Sequence, residues 1–264
     1  MRGALLLIAA PLFAADDAGA ILQRLVEAQK RNGDRIQPYT YTEEGIHFTY
    51  SKDGKLKRDY SEILDVIFLE GYPFHKLISR NNKPLPPKEQ AEIDQSMKET
   101  AEERRKRFHP PPGGQLIMGG RRIDVGANRE LLMLFDSRVT GEEEIRGRKT
   151  WVVEALPKPN YAPASDHERD VLSFRRMLWI DQEEAVPVRI LLTVVGDGIS
   201  FAKAGSSLRI DYAKIAPDVW CESGAVLDIW RAQGKEFKPG KRTEYTDSNF
   251  HKFDVQSTVT VDKP

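Results

Sequence analysis

Apolar residues change their spacing along this chain. In AGAILQRLVEAQKRNGD, residues Ile21, Leu22, Leu25, Val26 and Ala28 form one stripe at helical spacing, and Gly33 can end the helix. From residue 39 the period becomes two. YTYTEEGIHFTY predicts a strand, Asp53-Gly54 a hairpin turn, and SEILDVIFLEG the returning partner. On that partner Leu64, Val66 and Phe68 share one face, and Ile63, Ile67 and Leu69 take the other. YPFHKLISRNNKPL predicts a third strand that ends in an Asn-Asn turn. Links this short leave no room for crossover helices, so the strands run antiparallel.

The stretch 86–107 breaks the pattern. It is strongly charged, and Ile93, Met97 and Ala101 make only a thin apolar seam. This predicts a solvated surface helix; a sharper reading makes it a movable flap over the sheet. FHPPPGG interrupts the chain, and MGGRR at 118–122 predicts a turn. ANRELLMLFD is a short, strongly apolar helix. Strands are predicted at 137–146 and 149–156, then a hairpin turning at Gln182 to Ala185, then strands in SSLRIDYAKIA, AVLDIWRAQG and FDVQSTVTV. The class is therefore α+β: about ten antiparallel strands, an N-terminal helix and two interior helices. A sheet this wide curls. Curled around its helices, it meets a helix on one face and keeps an open concave side.

GRKTWVVEAL (147–156) sharpens the question of what fills that side. Trp151, Val153 and Ala155 point one way, Val152 and Leu156 the other, and only Glu154 is polar. A strand with two apolar faces is covered twice. The second cover is a helix, an oligomer partner, or a ligand with acyl chains.

The first residues change the setting. MRGALLLIAAPLFAADD has Arg2, an apolar run, Pro11 and small residues at Ala14 and Ala15, the pattern of a secretory signal peptide over 1–15. The rest, 16–264, is expected to be a single domain. Forty basic and forty acidic residues give no net charge, which removes the electrostatic argument for nucleic acid. Cys221 is the sole cysteine, so no internal disulfide forms, and no cysteine sits at the cleavage point to carry a lipid. A protein free in the periplasm is expected.

Candidate chemistry is sparse. His47, His75, His109, His167 and His251 have no mutual ligand spacing, so no metal is expected. SDHERD (165–170) gathers Asp166, His167, Glu168 and Asp170, but in a Pro-rich stretch that predicts a solvated loop. Gly-x-Ser-x-Gly, phosphate-loop and dinucleotide patterns are missing, and Cys221 after Trp220 suits packing better than nucleophilic attack. Neither catalysis nor a cofactor is expected.

The run GEEEIRGRKTWVV (141–153), with LWID (178–181) and PVRI (187–190), resembles the outer-membrane lipoprotein-sorting proteins, the periplasmic carriers of the Lol system. That resemblance implies an incomplete, strongly curved β-barrel whose concave face is plugged by helices that shift to admit acyl chains, without catalysis. On this reading Val66, Phe68, Trp151, Val153, Trp179, Ile190 and Leu192 line the cup, and Leu131, Leu132, Leu134 and Phe135 form the lid. If the opposite face is the cup, Val152, Leu178, Ile180 and Leu191 line it. The expected partners are lipid or lipoprotein acyl chains, with inner-membrane donor and outer-membrane acceptor proteins, and no membrane span. The alternative is an envelope sensor or scaffold module that docks a protein partner on the same face.

Overall fold

The computed structural model describes residues 15–70, 72–106, 115–118, 121–124, 129–196, 198–199, 202–234 and 236–253. Residues 1–14 of the expected signal peptide, the FHPPPGG break, the pair at 119–120 and most of the strand expected at 253–261 lie outside them.

Helix α1 (Ala15–Ile36) leads into β1 (Tyr39–Tyr50), β2 (Leu56–Leu69), β3 (Tyr72–Arg80) and β4 (Lys83–Pro84). Helix α2 (Pro87–Lys106) follows, then the ribbon β5 (Gln115–Met118) and β6 (Arg121–Asp124), and α3 (Arg129–Leu134). The second half runs through β7 (Phe135–Ile145), β8 (Arg148–Pro157), α4 (Asp166–Val171), β9 (Phe174–Asp181), β10 (Pro187–Val194), β11 (Ser207–Ala216), β12 (Val219–Gln233) and β13 (Glu236–Lys252).

Eleven strands form one sheet in the order β4-β3-β2-β1-β13-β12-β11-β10-β9-β8-β7, every neighbour antiparallel. It is open, with β4 and β7 as its edges. Turn chemistry follows the sequence: Gly54, Asn81, Asn82 and Ala185 all take positive φ where the hairpins reverse.

One face of the sheet wraps α1. Ile21, Leu22 and Leu25 join the cluster of β8 and β9, Ala28 sits with Val186, Val188 and Trp220, and Ile36 with Tyr41 and Val66. A 22-residue helix spans about 33 Å. The eight strand spacings from β7 to β2 would cover about 38 Å if flat. One helix meets both ends because the sheet curls around it.

Helix α2 has no buried residue. It leans on β2 and β3 through ion pairs, Lys76–Asp94 at 2.7 Å and Arg105–Glu70 at 2.6 Å, and through Arg104, which donates to the carbonyls of Leu69, Tyr72 and Pro73.

Two expectations are corrected. SDHERD is not a loop: Ser165 caps α4 by accepting from the Glu168 amide. The strand after AVLDIWRAQG is β13 at 236–252, a segment with Pro239, Gly240 and few apolar residues.

Candidate functional site

Cross-strand register decides which side chains share the inner face. Val153 stands opposite Leu178 and Trp151 opposite Ile180; Ile190 then stands opposite Leu178 and Ile210, and Leu192 opposite Leu208. These residues form a continuous apolar floor. Over β8 and β9 it is covered by Ile21, Leu22 and Leu25 of α1, Leu131 and Leu134 of α3, and Phe135. Over β10 and β11 it is covered by Ile199 and Ala202 of the connecting loop. Arg24 of α1 lies over the Trp151 ring, 5.3 Å from its centroid.

The register also separates residues that the sequence reading grouped. Trp179 pairs with Val152, so both face away from α1, and the Trp179 indole donates to Glu143 at 2.8 Å on the outer surface. Trp179 therefore does not share a face with Trp151 and Val153, whereas Leu178 and Ile180 do. Leu191 is on the outer face with Trp179, and Ile190 and Leu192 face inward. The second face of β8 needs no helix: Val152 lies opposite Trp179, Glu154 is held by Arg138 and Arg175 at 2.7 Å each, and Leu156 is exposed. Val66 is buried with Tyr41 and Cys221, and Phe68 is partly buried beside them. Leu131, Leu134 and Phe135 are buried against the floor, with Leu132 partly so.

The C-terminal end of α1 is pinned by polar contacts. Asn32 donates to the Trp220 carbonyl at 2.7 Å and accepts from the Trp220 amide at 2.8 Å, and Arg35 donates to the Asp218 carbonyl. The Trp220 indole donates to Glu184. Arg148 forks onto Asp181 at 2.6 and 2.8 Å and reaches Glu184 at 3.1 Å. Burial works to raise the Asp181 pKa, but Arg148 and the amides of Glu183 and Glu184 hold it below the usual value. A cleft of about 300 Å³ lies here, lined by Arg31, Arg35, Glu183 and Asp218 among others.

Further along the inner face the floor turns polar. Glu43 of β1 stands directly opposite Asp247 of β13, and Glu222 of β12 is close enough to repel both. Asp247 is buried, and its Oδ1 has no hydrogen-bond partner among the described residues. Burial, then the charges of Glu43 and Glu222, push Asp247 up to about 8; burial, then Glu43, pushes Glu222 up to about 7. His75 Nδ1 lies 3.2 Å from Glu43 Oε1. Burial works to lower the His75 pKa, and Glu43 outweighs it, so the net shift is upward. Burial drives the neighbouring Cys221 thiol upward, in keeping with a packing role. Sequence reading missed this group. Its one signal is the alternation Tyr41, Glu43, Gly45, His47, which places a carboxylate on the inward side of β1. Among the described residues, no three His, Cys, Asp or Glu side chains are placed to hold a metal ion.

The class so defined is an open antiparallel sheet folded around a helix that occupies its apolar floor. No family model and no curated protein matches the sequence. Among solved structures, the chain is similar to an outer membrane lipoprotein-sorting protein domain from Vibrio parahaemolyticus, with 11% identity, 90% of this chain and 93% of that one covered, and a TM-score of 0.42. It is similar to a LolA superfamily protein from Nitrosomonas europaea, with 12% identity, 90% and 94% covered, and a TM-score of 0.37. It is also similar to the MucA/MucB complex structure of Pseudomonas aeruginosa, with 11% identity, 88% and 92% covered, and a TM-score of 0.27. No helix among the described residues is long and apolar enough to cross a membrane.

Proposed function

We propose that this chain, exported by residues 1–15 and acting as one domain over 16–264, is a periplasmic binding protein for the acyl chains of lipids or lipoproteins. It would receive them at the inner membrane and pass them towards the outer membrane. The observation that carries the proposal is the way the floor is covered. α3, described over six residues, is held mainly by burying Leu131 and Leu134, with surface ties from Glu130 to His167 at 3.2 Å and from Lys158 to the Met133 and Leu134 carbonyls. The polar ties of Asn32 and Arg35 sit at the far end of α1. In this proposal the N-terminal half of α1 and α3 swing away, breaking the surface ties of Glu130 and Lys158, while the C-terminal half of α1 stays fixed.

The magnitudes allow the exchange. A sixteen-carbon chain brings about 14 methylenes at roughly 0.8 kcal/mol each, about 11 kcal/mol gross. Exposing Leu131, Leu132 and Leu134 costs about 2 kcal/mol each. Inside the cup, Trp151, Val153, Leu178, Ile180, Ile190 and Leu192 would contact the acyl chain.

The test is organic extraction of the protein purified gently from the periplasm, followed by mass spectrometry, with titration of a fluorescent fatty-acyl probe. Co-purified acyl lipid, or saturable probe binding that a crosslink between α3 and β8 abolishes, is expected. An empty protein that ignores the probe would refute the proposal and leave a protein-docking module as the reading of this face.

A further inference from the structure

The two longest hairpins carry a concentration of positive charge that the neutral chain does not share. Residues 49–59 and 228–242 hold nine Lys or Arg against four Asp or Glu, whereas the whole chain has forty of each. Strand pairing brings the two tips together. β1 pairs with both β2 and β13, so Thr49 stands between Lys57 and Lys241, and Phe48 between Arg58 and Arg242. The Tyr50 hydroxyl donates to Asp228, tying one hairpin to the other.

The tips also project. β11 stops pairing with β12 at Asp228, and β1 stops pairing with β13 at Lys241. Beyond these points the β12–β13 ribbon pairs with no other strand, apart from Trp230, whose amide donates to the Ser206 hydroxyl and whose carbonyl accepts from the Lys203 amide, and Arg231 stands directly opposite Lys238. Like charges placed opposite each other disfavour the ribbon, and Lys238 is offset only by Glu236 at 3.0 Å. Lys52, Lys57, Arg58, Arg231 and Lys241 have no ion-pair partner among the described residues. Each tip also exposes a large apolar side chain, Leu56 at 43% and Phe237 at 41%. Unneutralised cations flanking an exposed apolar residue suit an interface where anionic headgroups meet acyl chains.

We infer that the paired tips of the β1–β2 and β12–β13 hairpins dock this protein on a bilayer bearing anionic phospholipid headgroups. Lys57, Arg58, Arg231 and Lys241 meet the headgroups, and Leu56 and Phe237 enter the interface. The surface is separate from the apolar floor. A protein that holds no acyl chain yet docks leaves this inference standing and removes only the carrier proposal.

The experiment is sedimentation of the exported protein with vesicles of phosphatidylcholine alone or with about 30% phosphatidylglycerol. Binding should be at least about tenfold tighter on the anionic vesicles, and most of that advantage should vanish in about 0.5 M salt. The triple variant Lys57→Glu, Arg231→Glu, Lys241→Glu should lose about tenfold or more. Lys57→Gln, Arg231→Gln, Lys241→Gln, a milder set that guards against misfolding, should lose less but in the same direction. Lys30→Glu, Lys149→Glu, Lys252→Glu, with the same net charge change away from the tips, should bind nearly as the parent does. Leu56→Ser with Phe237→Ser should weaken binding while keeping its salt dependence. Equal binding to both vesicle types, or equal losses in the tip and control variants, would overturn the inference. So would binding to soluble polyglutamate but not to vesicles, which would make the partner an acidic macromolecule.

Discussion

Replacing Asp247 by Asn should make the protein more stable at mildly alkaline pH, the reverse of what removing a carboxylate usually does. An unfolded aspartate titrates near 3.8, whereas burial beside Glu43 and Glu222 raises Asp247 to about 8 in the fold. Between those values the folded chain binds more protons than the unfolded one. Stability is therefore fully present below about pH 4 and is lost as pH rises through about 8. Each unit of pH in that window removes about 1.4 kcal/mol, so raising pH from roughly 5 to 8 removes at most about 4 kcal/mol. Relaxation around the charged form brings the working figure nearer 2 kcal/mol. For a domain of this size that is a fall in Tm of about 4–8 °C. Raised Glu222 and His75 push in the same direction. Asp181 and Glu184, both lowered, lose their contributions only below the ordinary carboxylate range and leave this window clear. Thermal melts by circular dichroism at several pH values provide the assay. The parent should melt lower as pH rises from 5 to 8, and Asp247→Asn should be flatter and melt higher at pH 8. A parent equally stable at both pH values, or a variant weaker at both, would show that Asp247 is not held protonated by its neighbours.

Arg148→Ala leaves the buried Asp181 carboxylate without its fork and should cost about 2–4 kcal/mol at neutral pH, read by urea denaturation, with the deficit shrinking in acid as Asp181 protonates. Gly205 has φ +94° and lies where an added Cβ would meet the Trp230 ring at 2.9 Å; Gly205→Ala should lower Tm by several degrees and shift the tryptophan emission. Trp151→Asp should weaken acyl-probe binding at least about tenfold, and Trp179→Asp, on the outer face, should leave it unchanged.

Much of this architecture was legible wherever burial alternates with exposure. The stripe of α1, the hairpin turn at Asp53-Gly54 and the alternation of β10 all appear where spacing puts them, because an apolar floor demands apolar residues at regular intervals. β13 was hidden for the opposite reason. Its inward positions are Thr243, Tyr245 and Asp247, which face His47, Gly45 and Glu43 of β1 rather than a greasy core. The Thr243 hydroxyl bonds the His47 ring, whose other nitrogen lies 2.8 Å from Glu62. A polar strand satisfied by polar neighbours leaves no hydrophobic signature. Trp179 was misplaced because one strand alone does not reveal which of its faces meets a helix when both are apolar. Only pairing with Val152 settles that.

The pairing of β1 with β13 sets a condition on how the molecule is made. Tyr39, the first residue of the sheet, lies opposite Lys252, its last described residue. The strands β7 to β12 form an unbroken meander and can zip together in the order they emerge. The hairpins of β1 to β4 cannot join them until the seventeen residues of β13 have appeared. A chain cut short before residue 236 would hold two half-sheets, each with a raw edge, β1 on one and β12 on the other. Such edges recruit stray strands and mark a polypeptide for aggregation or proteolysis. β13 thus works as a proofreading clasp, and only a chain translated through residue 252 can fasten it.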